Sequence, residues 1–319
     1  MRRKYFLAGI AFLGLLITFA SCSQETESRF KVGMIVEGEI ADKPWNEKGY
    51  QGLLALEEEL NVEIDVVENV ETDEEIAKAI TKLVEEGTTL IFGHSSEYGD
   101  NFYQSSQTYQ DVHFVYFNGN YYNDNLTSLT FNSHAMGFFA GMIASQMTES
   151  EEVGIIAAYQ WQPEIEGFYE GVKFQNPETN VNMELIYDWT DVDGAKQAYA
   201  RMKNKGIDVI YPAGDAFSED VIKQASKDDI YAIGFVSDQF KVEPTAVLTS
   251  TIQHVDRLYV LATEKYMEGT LKGEIMSFDF KDNYITLGEY NPDVPKYFQK
   301  QLNNYIQKYK ETGLLPNQY

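Results

Sequence analysis

Residues 31–52 read KVGMIVEGEIADKPWNEKGYQG. Lys31 to Val36 is a short apolar run, the signature of a buried strand. Lys48 to Leu60 carries Leu53, Leu54 and Leu56 at helical spacing. Between them Asp42, Lys43, Pro44, Trp45 and Asn46 form a polar loop that holds a carboxylate, an aromatic ring and an amide. A strand, a polar loop and a helix in this order are the opening of an α/β unit, whose ligands sit beyond the carboxyl ends of the strands. Such a loop is suited to hydrogen-bond and stack on a polar ring. The same residues equally suit a plain helix N-terminus, with Asp42 or Asn46 as cap and Trp45 as hydrophobic staple.

Outward from this unit the alternation continues. Strands are expected at 62–67, 89–92, 113–117 and 126–131, and helices from Thr72 and from about Asn101. Thr72-Asp73-Glu74-Glu75 places acids in a first helical turn, where they complement the macrodipole. A second set follows: helices at 136–146, 164–174, 192–205 and 218–226, alternating with strands at 153–157, 182–187, 208–211 and 231–235. A strand at 246–250, a helix at 255–267, short strands at 276–280 and 285–287, and a helix at 294–309 close the chain. The order β-α-β-α-β-α-β occurs twice, which predicts two wound sheets facing each other across a ligand cleft.

The N-terminus carries a different signal. Arg2, Arg3 and Lys4 precede an uncharged apolar run from Phe6 to Ala20, which is short for a membrane-spanning helix but suits a signal peptide. It ends Phe19-Ala20-Ser21-Cys22, similar to a lipobox except that Phe19 stands where Leu is usual. Cys22 is the single cysteine of the chain and so has no disulfide partner within it. The reading is a signal peptide at 1–21, lipidation at Cys22 and a polar tether at 22–29. The mature chain is thereby expected at the cell membrane, lipid-anchored on the extracytoplasmic face. An ordinary cleaved signal with an incidental cysteine, or an uncleaved anchor, are the alternatives.

The net charge of −25 repels phosphate backbones, so no direct nucleic-acid contact is expected. His94, His113, His134 and His254 show no metal-ligand spacing. Neither a nucleophile elbow nor a phosphate-binding glycine motif is present. The chain therefore reads as a binding protein, not an enzyme, with no metal and no cofactor. His94-Ser95-Ser96 follows a strand and suits either a cleft wall or a polar turn. Tyr121 and Tyr122 suit either the cleft or local packing.

Several stretches together resemble one family. DKPWNEKGYQG (42–52) resembles the DKSFNQxxxxG signature of the basic membrane protein (BMP, PnrA-like) substrate-binding lipoproteins. GFFAGMIA (137–144), the run from Gly154 to Gly171 with Pro163 and Phe168, GIDVI (206–210), and Ile233-Gly234 through Ser237-Asp238-Gln239 resemble further family segments. The resemblance implies a type I periplasmic-binding-protein fold, α/β, with two Rossmann-like lobes, a hinge of three crossovers and an interlobe cleft. It places an N-terminal lobe at 30–129 plus 252–277 and a C-terminal lobe at 130–251 plus 278–319. It also implies a nucleoside-like ligand delivered to an ABC permease. Within the family the sequence looks most like Med-type regulatory lipoproteins of Bacillus, positive regulators of competence gene expression, for which an indirect effect and a degenerate site are the alternative expectation.

The resemblance carries ligand roles to Asp42, Trp45 and Asn46, to Trp189 as a second stacking ring, and to Gly214 in a small turn. Three positions depart from the pattern. Asn118 stands where the family has a base-reading Asp, Val236 where it has an Asp, and Gln253 where it has a Lys. Each lost hydrogen bond to a charged group is worth roughly 1.5–3 kcal/mol, so a changed or weakened ligand preference is expected.

Overall fold

The structure, a computed structural model, describes residues 30–319. The signal, lipidation and tether readings at 1–29, Cys22 included, lie outside the described residues.

The first half alternates β1 (Lys31–Ile35), α1 (Pro44–Leu60), β2 (Glu63–Val67), α2 (Asp73–Glu85), β3 (Leu90–Gly93), α3 (Gly99–Thr108), β4 (His113–Phe117) and β5 (Leu126–Phe131). The second runs α4 (Ser133–Met147), β6 (Glu152–Ala157), α5 (Pro163–Gln175), β7 (Asn180–Leu185), α6 (Val192–Lys203), β8 (Val209–Ala213), α7 (Ser218–Lys227), β9 (Tyr231–Gly234) and β10 (Val247–Gln253). Then come α8 (Val255–Met267), β11 (Ile275–Phe278), β12 (Ile285–Leu287) and α9 (Lys296–Thr312). One sheet has the order β11-β5-β4-β3-β1-β2 and the other β12-β10-β9-β8-β6-β7. Every pairing is parallel except β10 with β12. This is the expected type I periplasmic-binding-protein fold.

In each sheet the winding reverses at one place: between β1 and β3 in the first, between β6 and β8 in the second. Helices leave the sheet on opposite sides there, and the gap beyond the strand ends is the site such sheets offer a ligand.

The chain passes between the sheets at three places: Asn132, His254, and the segment 279–284 that links β11 to β12. These crossovers bond to one another. The Asn132 N–H donates to the Phe278 carbonyl at 2.8 Å, and the His254 N–H to the Tyr284 carbonyl at 2.9 Å. The Gln253 amide Nε2 donates to Ser133 Oγ at 3.2 Å. The Tyr309 hydroxyl donates to Asp279 Oδ2 at 2.8 Å, which ties α9 to the same junction.

Helix packing explains several sequence features. In α2, Thr72 and Glu75 form a reciprocal capping box, and Ile76, Ala79, Ile80 and Leu83 supply its buried stripe. Helix α4 is apolar on nearly all sides and is accordingly buried from Ser133 to Ser145 with the exception of His134. Its Gly137 and Gly141 face Gly167 and Gly171 of α5 so closely that a Cβ on any of them would lie within about 2.2 Å of a facing carbonyl oxygen. The two helices meet backbone to backbone.

One boundary matters for the site. The periodicity places the start of α1 at Lys48, but the helix begins at Pro44. Proline at the first helical position needs no N–H partner and has its φ already set. Trp45 and Asn46 therefore sit in the first turn of a rigid helix and not in a loop.

Candidate ligand cleft

Loops at the carboxyl ends of both sheets enclose a cavity of about 370 Å³. That volume falls within the usual range for small-molecule sites. Glu37, Lys43, Trp45, Asn46, His94, Ser95, Ser96 and Asn118 line it from the first sheet. Trp161, Gln162, Glu164, Trp189, Asp215 and Val236 line it from the second, and Gln253 from the end of β10. The chain holds three tryptophans, and all three border this one cavity.

Trp45 is held by a reciprocal pair of bonds. Its indole Nε1–H donates to the His94 carbonyl at 2.9 Å, and His94 Nε2 lies 2.7 Å from the Trp45 carbonyl. The two rings stack, with centroids 4.7 Å apart and 15° between planes. His94 Nδ1 lies 2.9 Å from the Tyr259 hydroxyl. Burial drives the His94 pKa down to about 4, so near neutrality the ring is neutral. Nε2–H then donates to Trp45 and Nδ1 accepts from Tyr259. Gly49 leaves room for this ring: a Cβ there would come within 2.7 Å of it. His94 thus orients the tryptophan and leaves only the second indole face for a ligand.

The opposite wall is aromatic too. Tyr159 and Trp161 stack at 5.6 Å and 14°, and Trp161 meets Trp189 edge-on at 5.9 Å. Trp161 is 60% exposed, more than any buried-core ring would tolerate, and stands at the cavity rim. The sequence does not single out Trp161, because it falls at an unspecified position of the Gly154–Gly171 run, in the irregular turn between β6 and α5.

The remaining expected residues divide. Asn118 lines the cavity from a left-handed position with φ of 58°, a conformation asparagine tolerates. Val236 also lines it, at φ of 62°, where a β-branched side chain is strained. The surrounding bonds hold it there, including the Gln253 N–H to the Val236 carbonyl at 3.0 Å. Asn46 borders the cavity, but its amide donates to the Glu37 and Glu39 carbonyls and so locks the loop before α1. Gln253 spends its amide on Ser133. Gly214 is not on the lining: it sits beneath, where the Phe217 ring fills the space a Cβ would need, and the cleft position belongs to its neighbour Asp215. The Asp42 backbone closes a short 3-10 turn, and its side chain lies outside the described residues. Tyr121 and Tyr122 are not on the lining, and Tyr121 packs locally on Tyr116 through backbone bonds to its hydroxyl.

Asp215 makes a side-chain bond from one lobe to the other across the cleft. Its Oδ1 accepts the Trp45 backbone N–H at 2.9 Å. Lys43, the N-cap of α1, makes no side-chain cap bond. A carboxylate from the second sheet therefore caps a helix packed on the first. Burial still dominates and pushes the Asp215 pKa up to about 6, against the pull of the Trp45 N–H and of Lys43. A carboxyl group whose pKa is higher folded than unfolded costs stability as it ionises, and that cost grows as pH rises from about 4 to about 6. Asp215→Asn cannot ionise. The melting temperature of the wild type minus that of the variant should therefore fall as pH is raised from about 4 to about 7. A difference that stays flat across this window would mean that Asp215 ionises as freely in the cleft as in water.

Among the described residues no group of His, Cys, Asp and Glu is placed to hold a metal ion, and no helix is long and apolar enough to cross a membrane.

Comparison with known proteins follows the same lines. The model of the family described as "Bmp: ABC transporter substrate-binding protein PnrA-like" matches residues 30–318. A transcriptional activator protein med of Bacillus subtilis (strain 168) is 41% identical over 286 residues, covering 90% of this chain and 90% of that protein. A purine-binding protein of Brucella abortus (strain 2308) is 25% identical, covering 83% of this chain and 76% of its own. Among solved structures, a transcriptional activator of the comK gene from Bacillus halodurans superposes with a TM-score of 0.85 at 39% identity, over 90% of this chain and 99% of that one.

Proposed function

The chain belongs to the Bmp family of PnrA-like ABC transporter substrate-binding proteins, and from that premise we propose that its cleft binds a nucleoside-like small molecule. One observation carries this reading: all three tryptophans, contributed by both lobes, border a single cavity of small-molecule size. Aromatic faces suit a flat heterocycle, and each base-aromatic stack is worth about 1–3 kcal/mol. The purine-binding relative supports the same ligand class. Binding would favour the closed arrangement that the Asp215 bond to α1 already spans. In this reading the protein is anchored to the outer face of the cell membrane through lipid on Cys22 and hands its ligand to an ABC permease. It carries out no catalysis.

The test is thermal unfolding of the purified protein against nucleosides, bases and sugars. A ligand at 100 times its dissociation constant adds about 2.7 kcal/mol of stability. An upward shift with nucleosides supports the receptor reading, and a flat panel removes it.

A second reading rests on the med-type relative, at 41% identity over 90% of the chain. The chain would then act in regulation, indirectly, from outside the cytoplasm. The departures at Asn118, Val236 and Gln253 fit a site that has drifted from the family pattern. A flat panel would favour this reading.

A further inference from the structure

The charge of the cleft says more about its ligand. Three carboxylic acids line it, Glu37, Glu164 and Asp215, against one lysine, Lys43, among the described residues. Lys43 Nζ lies 3.7 Å from Glu37 Oε2 and is spoken for. The other oxygen of that carboxylate, Glu37 Oε1, is buried and has no hydrogen-bond partner. Glu164, at the start of α5, is only 4% exposed. It receives the Gln162 amide at 2.7 Å and has no lysine, arginine or histidine at ion-pair distance among the described residues. Burial raises its pKa, as it does that of Asp215. The protein is acidic throughout, but acids that serve solubility are solvated, whereas Glu164 is buried and Glu37 and Asp215 are only partly exposed. A buried carboxylate without a cation is costly, and such groups mark functional sites.

The aromatic walls point the same way. Tryptophan offers the best face to a cation, through the negative potential above its ring. A cavity that combines three tryptophans with three carboxylic acids against one lysine is complementary to a flat, positively charged ring and repels an anion.

On the reading that the cleft is a ligand site, we propose that its preferred ligand class is a heteroaromatic cation: an N-alkylated or protonated nucleobase or nucleoside. The ring lies against the tryptophans, and its N–H groups or charge face Glu37, Glu164 and Asp215. Phosphorylated nucleosides are rejected by the same carboxylates.

Three probes differ chiefly in charge: adenosine, 1-methyladenosine, which is cationic at about pH 7, and adenosine monophosphate. Intrinsic fluorescence is a direct readout, because every tryptophan of the chain borders the cavity. Thermal unfolding is the second. The methylated cation should bind about tenfold or more tightly than adenosine, and the monophosphate at least about tenfold more weakly. Glu164→Gln should bring the affinities for adenosine and 1-methyladenosine together. Asp215→Asn gives the same test if the first variant does not fold. Adenosine binding as tightly as the cation would overturn the charge preference and leave the nucleoside reading standing. Silence of all three probes would overturn both.

Discussion

Gly171→Ala should lower the melting temperature by about 5 °C, the equivalent of roughly 3 kcal/mol in a chain of this size. The new methyl group would lie 1.9 Å from the Phe138 carbonyl oxygen, within a helix pair where Gly137, Gly141 and Gly167 make equally close approaches. Backbone cannot turn aside as a side chain does, so α4 and α5 must separate and the packing around Phe138, Phe139 and Phe168 must follow. Overpacking costs typically 1–3 kcal/mol and more where nothing can yield, while the helix propensity of alanine returns about 1. Gly87→Ala is the control. Nothing lies within 4 Å of its added carbon, and its cost arises only from the φ of 89°. Calorimetry of the two variants decides the matter: a Gly171→Ala melting temperature no lower than that of Gly87→Ala would show that the helices are not held at backbone contact.

Trp45→Ala should remove nearly all of the ligand-induced stabilisation while leaving the chain folded. The indole supplies one stacking face, and its loss takes about 1–3 kcal/mol of binding energy, or up to about a hundredfold in affinity. A nucleoside present at 100 times the wild-type dissociation constant would then sit near the variant's own, and the stabilisation would fall from about 2.7 to about 0.4 kcal/mol. The quantity to compare is the shift and not the unliganded melting temperature, because the substitution also strips His94 of its stacked neighbour and its carbonyl of a donor. Trp45→Phe should retain part of the shift, since it keeps a ring but loses the bond to His94. An undiminished shift in Trp45→Ala would place the ligand elsewhere.

Much of the fold is legible along the chain. The strands His113–Phe117 and Ile285–Leu287 and the helix Val255–Met267 have the limits that their patterns predict. Apolar runs and 3.6-residue stripes are properties of neighbours in sequence, and they survive in any tertiary context. Element ends are less legible. The start of α1 at Pro44 depends on helix geometry that the apolar stripe alone does not report, since Trp45 and Asn46 are not part of the stripe. Strand β10 runs on to Gln253, because Ser250 to Gln253 pair with neighbours distant in sequence.

The candidate site divides in the same way. Trp45, Asn46, Asn118, Trp189, Val236 and Gln253, positions that the family resemblance marks by agreement or by departure, all reach the cleft lining. His94, Trp161, Glu164 and Asp215 are not among the positions to which the family resemblance carries a ligand role. His94 lies 49 residues from the tryptophan it holds, and Asp215 lies 170 residues from the N–H it caps.

By itself the sequence determined the alternation of strands and helices, the two windings, the family and the ring at Trp45, because each is written in residues close together or in a motif. The tertiary structure alone decided which carboxylates are buried without a cation, which lobe caps α1 and how the three tryptophans share a cavity. Those properties depend on the distance between groups far apart in the chain and on the exclusion of water from between them, and neither quantity exists until the two sheets face each other.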